Sequence, residues 1–357
     1  MAAGGRFVRT AASILVIRLR ELGDTLLTTP LLRQLRRLHP TARIDVLCQQ
    51  GSRVVLARNR HVDETFLLPP RASASAFLAV AAALRHRRYD LVVDVQSLPK
   101  TALMARLVGG RERLGYRKPG WRNRLCYTRP HRQQAGEYAA RQHLRLLQDD
   151  RVDCDDIALE FDVGPEAEHA ADLFVRRHLR PPFAAVFGVS RFPERLWPAE
   201  KTAALCDRLA AAGIQPWLVY GPGQEDAAAG IAARMRHGAV HGYPMPDFPT
   251  LRAILGRAEV FFGNDGGPKH AAVAAGIPTV TACVAHHATG WAPPRDPRHR
   301  VVSTQAYPGV APLAGTFTDA RTLADVPVAA AWQEVKSVLR QAAGRGRPAA
   351  APLRRAA

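Results

Sequence analysis

The sequence predicts an α/β protein made of two doubly wound domains. Its 357 residues suffice for two cores. Short β-branched and aliphatic runs alternate with stretches of near-helical apolar spacing, the pattern of βα units around buried parallel strands. The series breaks at Pro181-Pro182 and then starts again, so the units fall into two sets.

In chain order, Ile14 to Ile17 reads as the first strand, and Leu27, Leu31, Leu35 and Leu38 recur behind it at helical spacing. Strands follow at Ile44 to Leu47 and Leu91 to Val93, the latter leading into a helix from Lys100 to Leu107. The acidic stretch Asp149 to Asp162 breaks the rhythm and is assigned to the connection between the halves. Its Asp153-Cys154-Asp155 has the form of a DxD metal motif but reads as solvated linker. In the second set, strands are expected at Ala184 to Phe187, Trp217 to Tyr220, Val260 to Phe262 and Thr279 to Cys283. Helices are expected at Lys201 to Ala211 and Lys269 to Ala275. The expected boundaries are a flexible N-terminus over 1–12, domains over 13–163 and 164–341, and a disordered basic tail over 342–357. Ligands of such sheets bind at the carboxyl ends of the strands, which makes the cleft between the domains the default site.

Composition narrows the class of function. Hydrophobic residues make up 47% and charged residues 23% of the chain, as in a folded globular protein. A formal charge of +19 favours anionic partners: nucleic acid, an anionic membrane face or phosphorylated substrates. Cys48, Cys126, Cys154, Cys206 and Cys283 form no CxxC pair, so neither a zinc knuckle nor a disulfide framework is indicated. The run Ile14 to Ile17 is too short for a signal peptide. No stretch reaches the roughly 18 to 20 apolar residues of a membrane helix, and a soluble or peripheral protein is expected.

Four segments are candidates for chemistry. Gly23-Asp24-Thr25 lies where the first strand turns into the first helix. There Asp24 either caps the helix or acts as a general base on an acceptor hydroxyl. Phe262-Gly263-Asn264-Asp265-Gly266-Gly267-Pro268-Lys269-His270 again joins a strand to a helix, and free backbone N–H groups there suit a diphosphate. It is neither the GxGxxG fingerprint of dinucleotide folds nor a Walker loop, which counts against NAD chemistry and ATP hydrolysis. Ser190-Arg191-Phe192-Pro193-Glu194-Arg195-Leu196-Trp197-Pro198 offers Arg195 for phosphate oxygens and Trp197 as a buried anchor. Asp94 to Thr101 carries Lys100 toward the expected cleft. With Arg113, Arg117, Lys118, Arg122 and Arg124 it forms either an anionic-acceptor surface or an ordinary solvated basic face.

In this order the segments ILVIRLRELGDTLLTTPLLRQLRRLHP, DVQSLPKTA, RLWP and FFGNDGGPKHAAVAAGIPTV resemble glycosyltransferase family 9, the ADP-heptose:lipopolysaccharide heptosyltransferases, over roughly residues 13 to 340. The resemblance implies a GT-B fold of two Rossmann-like domains facing a central cleft, with the acceptor on the N-terminal half and the nucleotide sugar on the C-terminal half. It makes Asp24 the catalytic base and gives Ser190, Arg195, Glu225, Asp265, Gly266, Gly267, Pro268 and His270 to the donor. Lys100, Gly23 and Thr25 go to the acceptor. Gly266 stands where the family has threonine, while Arg191 and Arg195 replace hydroxyl and lysine residues, which keeps positive charge in a different geometry.

The expected reaction is an inverting, metal-independent transfer without a cofactor, moving heptose from ADP-heptose to a phosphorylated lipopolysaccharide-core acceptor. Fixed donors and a helix N-terminus would stabilise the leaving diphosphate in place of a metal. The expected location is cytoplasmic, with peripheral contact at the inner membrane and no nucleic-acid partner. The rivals are a family member using another nucleotide sugar or building another glycan and, more remotely, a non-catalytic nucleic-acid-binding protein. An oxidoreductase is disfavoured by the missing GxGxxG.

Overall fold

A computed structural model describes residues 11–117, 125–190, 192, 195–305 and 313–344. Lys118, Arg122, Arg124, Arg191, Pro193 and Glu194 lie outside the described residues, as do 1–10 of the expected N-terminal segment and 345–357 of the expected tail. The chain divides into two compact units, Met1–Asp162 and Val163–Ala357.

In the first unit β1 (Ser13–Ile17) is followed by α1 (Leu22–Leu26) and α2 (Thr29–Leu38), then β2 (Arg43–Cys48), α3 (Gln50–Leu56) and β3 (Glu64–Leu67). Next come α4 (Ala74–His86), β4 (Leu91–Asp94), α5 (Pro99–Val108), β5 (Glu112–Tyr116), β6 (Arg129–His131) and α6 (Ala139–Leu146). The strands form one parallel sheet in the order β3-β2-β1-β4-β5-β6. Because successive strand residues face opposite sides, Ile14 and Val16 enter the core on one side, and Leu15 and Ile17 the core on the other. Helices cover both faces, which is why the strands read as continuous apolar runs.

The second unit contains α7 (Gly164–His178), β7 (Phe183–Phe187), α8 (Ala199–Ala211), β8 (Gln215–Leu218), α9 (Glu225–Ala232), α10 (Phe248–Leu255) and β9 (Val260–Asn264). It continues with α11 (Gly267–Ala274), β10 (Thr279–Cys283), α12 (Ala285–Trp291), β11 (His299–Ser303), β12 (Gly315–Phe317) and α13 (Val328–Gly344). Its parallel sheet runs β12-β11-β10-β9-β7-β8. Each unit is thus a parallel six-stranded sheet with covering helices, the doubly wound α/β architecture expected from the sequence.

Two expectations shift. The strand expected at Trp217 to Tyr220 begins two residues earlier, pairing Gln215 with Phe183, and ends at Leu218. The first three residues of the expected tail, Ala342 to Gly344, belong to α13. The linker is strapped to its own unit: Arg33 bonds Asp156 and the Ala158 carbonyl, and pairs with Glu160 at 2.9 Å. Within Asp153-Cys154-Asp155, the Asp153 carboxylate accepts the Asp155 amide at 2.9 Å, and Asp155 pairs with Arg141. All five cysteines are free. Burial pushes the thiols of Cys48, Cys206 and Cys283 up to about 12, so they are inert packing groups.

Candidate functional site

Each sheet reverses its strand order once, and a crevice for ligands opens at that switch point. In the first unit the reversal lies between β1 and β4, so the loops that follow these strands flank it. The two loops are joined where the Leu19 amide donates to Gln96 Oε1 at 2.9 Å. In the second unit the reversal lies between β7 and β9, which places the segment after Phe187 beside the segment after Asn264.

On the first unit Asp24 occupies the first turn of α1, and its Oδ2 receives the Glu21 amide at 3.3 Å. The same oxygen pairs with the Arg18 guanidinium. Asp24 is therefore both the helix cap and a partly exposed carboxylate. Gly23 is buried, and the Thr25 hydroxyl donates to the Glu21 carbonyl at 2.9 Å, so both shape the turn. Arg18 was missed by sequence reasoning. It is buried directly behind β1, near Tyr116 and His143, whose hydroxyl and Nδ1 lie 2.8 Å apart. Burial, and then the charge of Arg18, hold His143 well below its ordinary pKa, so its ring is neutral. The available signal was an arginine at the end of an apolar strand, six residues before Asp24.

The segment after β4 is largely structural. Asp94 is wholly buried and accepts from the amides of Gln96 and Ser97 and from the Tyr127 hydroxyl, the last at 2.7 Å. Burial pushes its carboxyl up against those donors. The Tyr127 ring lies so close to Gly115 that a Cβ there would come within 2.2 Å of it. Lys100 extends its ammonium to the Pro70 carbonyl at 3.4 Å, and 6.0 Å from the Phe77 ring centroid. Of the basic residues downstream that are described, Arg113 bonds the Cys126 and Gly110 carbonyls.

On the second unit the two loops are one assembly. The Trp197 amide donates to Asn264 Oδ1 at 3.1 Å, and the Trp197 indole N–H is anchored on the Val326 carbonyl. Gly263 permits the close crossing, since a Cβ there would stand 2.6 Å from the Phe187 carbonyl oxygen. Ser190 Oγ accepts the Phe192 amide at 3.0 Å, and the Arg195 guanidinium lies over the Phe192 ring, 4.8 Å from its centroid. On these segments the buried nitrogens Arg195 Nε, Asn264 Nδ2 and His270 Nδ1 have no hydrogen-bond partner among the described residues. Buried polar groups are ordinarily satisfied, so unpaired nitrogens on these linked segments call for a ligand rich in acceptors. Glu225 is exposed at the start of α9.

Behind them lies a pair that sequence reasoning missed. Lys269, 1% exposed, places its ammonium 2.9 Å from Asp265 Oδ1 and also on the Trp291 carbonyl. Burial pushes the Asp265 carboxyl up, but the charge and hydrogen bond of Lys269 outweigh it and hold the group below the usual carboxylate value. Burial and then Lys269 lower His270 to about 3, so its ring is neutral at physiological pH. Gly266 and Gly267 lead into α11 with Pro268 at its first turn. The i,i+4 spacing of Asp265 and Lys269 was the available signal.

The sequence model of glycosyltransferase family 9 (heptosyltransferase) matches residues 77–310. The chain belongs to glycosyltransferase family 9. Lipopolysaccharide heptosyltransferase 3 of Escherichia coli strain K12 is 25% identical over 295 residues, covering 77% of this chain and 83% of that protein. Among solved structures, a family 9 glycosyltransferase from Veillonella parvula superposes with a TM-score of 0.77 at 19% identity, covering 92% of this chain and 97% of that one. The ADP-heptose lipopolysaccharide heptosyltransferase II of E. coli gives 0.72 at 20%, covering 92% and 99%. These likenesses support the GT-B architecture of this family 9 chain. Among its described residues no helix is long and apolar enough to cross a membrane.

Proposed function

We propose that this family 9 glycosyltransferase moves a heptose from ADP-heptose to a phosphorylated lipopolysaccharide-core acceptor, by inversion and without a metal. The observation that carries the reading is the set of buried unpaired nitrogens on Arg195, Asn264 and His270, next to a helix N-terminus. Arg195 and the amides opening α11 receive the diphosphate. Neutral His270 supplies a hydrogen bond rather than a charge, and Ser190, Gly266, Gly267 and Pro268 line the loop. Glu225 is proposed for the ribose. The related proteins named as heptosyltransferases support the sugar and the acceptor.

Asp24 is the proposed base. Arg18 and the Glu21 amide both occupy its Oδ2, which orients Oδ1 as the oxygen that accepts the proton of the acceptor hydroxyl. As that hydroxyl oxygen bonds to the anomeric carbon, the bond to the diphosphate breaks on the opposite face. The charge that appears on the departing oxygen falls to preorganised donors, the usual substitute for a metal. Lys100 is assigned to the anionic acceptor. The protein works in the cytoplasm in peripheral contact with the inner membrane, where such an acceptor is anchored.

A second reading, transfer of another nucleotide sugar, has one specific support: Phe187 lies against Gly266, where a Cβ would come within 3.2 Å of its ring. The donor loop therefore lacks a hydroxyl, and its space is partly filled. Melting the protein with ADP, ADP-heptose, UDP and UDP sugars tests both readings. Saturation at about 100 times Kd stabilises by about 2.7 kcal/mol. Selective response to adenine nucleotides is expected, preference for UDP overturns the donor, and no response to any nucleotide overturns the donor loop. Asp24→Ala should lower turnover at least about 100-fold while leaving the ADP response intact.

A further inference from the structure

We propose that the outer face of α4 and α5 is the surface by which the protein docks on an anionic lipid leaflet. This rests on the membrane-contact reading above and names the residues that make the contact.

Helix α4 buries Phe77, Ala81 and Leu84 against the core of the first unit. Its opposite stripe runs from Ser75 through Leu78, Ala79, Ala82 and Ala83 to His86, all exposed, and its four central residues are apolar. An apolar stretch on the outer side of a helix normally has something packed on it. Here the outer side is bare: Leu78 is 55% exposed, and Leu103 on the neighbouring α5 is 48% exposed. Exposed apolar patches of this kind mark contact sites.

The charge around the stripe decides what covers it. Between Thr65 and Arg111 the chain carries seven arginines and lysines. Its two acidic residues in that span are both committed inward: Asp94 is wholly buried, and Asp90 accepts the amides of Ala12 and Ser13 at 2.9 and 3.2 Å. Arg87 is paired with Glu64 at 3.1 Å. Arg71, Arg88 and Arg106 stand exposed. An apolar strip inside a basic rim matches acyl chains beneath anionic headgroups. A second copy of the chain would instead bring two basic rims together, so charge disfavours self-association.

The test is co-sedimentation of the full chain with vesicles of phosphatidylglycerol or of phosphatidylcholine, without donor or acceptor. Binding to the first and not the second is expected, weakening with salt. Each arginine lost should lower partitioning roughly fivefold, so Arg71→Glu with Arg106→Glu should lower it at least about 25-fold. Leu78→Glu with Leu103→Glu should remove most of what remains, while melting temperature, ADP response and transfer to a detergent-dispersed acceptor stay at parent values. Vesicle binding equal to the parent's in both double variants overturns the proposal. So does failure of the parent to bind either vesicle, or a concentration-dependent dimer in sedimentation that the leucine variant abolishes. Vesicle binding that survives in a protein with no nucleotide response supports the surface and counts against the proposed reaction alone.

Discussion

Replacing Lys269 with methionine keeps the length of the side chain and removes the charge that balances Asp265. The two groups are 1% and 10% exposed and 2.9 Å apart. At an effective dielectric of about 20, that distance corresponds to an attraction of about 6 kcal/mol, part of which is offset by desolvating both ions. Removing one partner of a buried pair costs about 3 to 5 kcal/mol, because the remaining charge is stranded. In a unit of this size, a loss of about 3 to 5 kcal/mol lowers the melting temperature by roughly 6 to 20 °C. Differential scanning calorimetry of the second unit's transition reads this directly. Lys269→Met combined with Asp265→Asn strands no charge and should recover most of the loss. The pH dependence has a definite sign. In the parent, Asp265 titrates below its ordinary value, so its contribution is present above the unfolded pKa and lost as pH falls through the folded one. In Lys269→Met burial dominates and raises the carboxyl, which protonates readily in acid, so the gap between variant and parent should narrow toward pH 4. A single variant melting within about 2 °C of the parent, or a double variant as unstable as the single, would refute a strong buried pair.

Tyr127→Phe removes one donor from the fully buried Asp94 and should cost about 1 to 3 kcal/mol by urea denaturation. Asp94 is pushed up by burial, so the folded state holds its proton more tightly than the unfolded one; its contribution is lost as pH rises, and the deficit of the variant should shrink in acid. Gly266→Thr adds a hydroxyl to the proposed donor loop but crowds the Phe187 ring. It should destabilise by about 1 to 3 kcal/mol, and Phe187→Leu in the same chain should relieve most of that.

The strands at Ile14 and Leu91 were legible because both of their faces are covered by helices, so burial writes itself as an unbroken apolar run. The expected strand at Trp217 was displaced because Val219 and Tyr220 are as buried as the ladder residues and carry the same signal. The segments proposed to bind the donor were visible through their glycines and prolines. The partners that organise them were not: Arg18 reads as any arginine in a basic chain, and Lys269 looks like a surface residue in the first turn of a helix. Their importance comes from burial beside a carboxylate, a property of tertiary structure. Lys100 was legible as a residue at a strand end, but the carbonyl of Pro70 and the ring of Phe77 that hold its ammonium come from another segment of the unit.

The hydrogen bond from the Trp197 backbone to Asn264 has an evolutionary and engineering consequence. One asparagine side chain spans two segments 67 residues apart in sequence, so neither can drift in conformation without dragging the other. If the donor binds here as proposed, a change of donor requires both segments to change as a matched pair. A graft of only one segment from a relative with a different donor should yield a folded but crippled enzyme, whereas exchanging both together, with the asparagine retained, is the unit of recombination that preserves function.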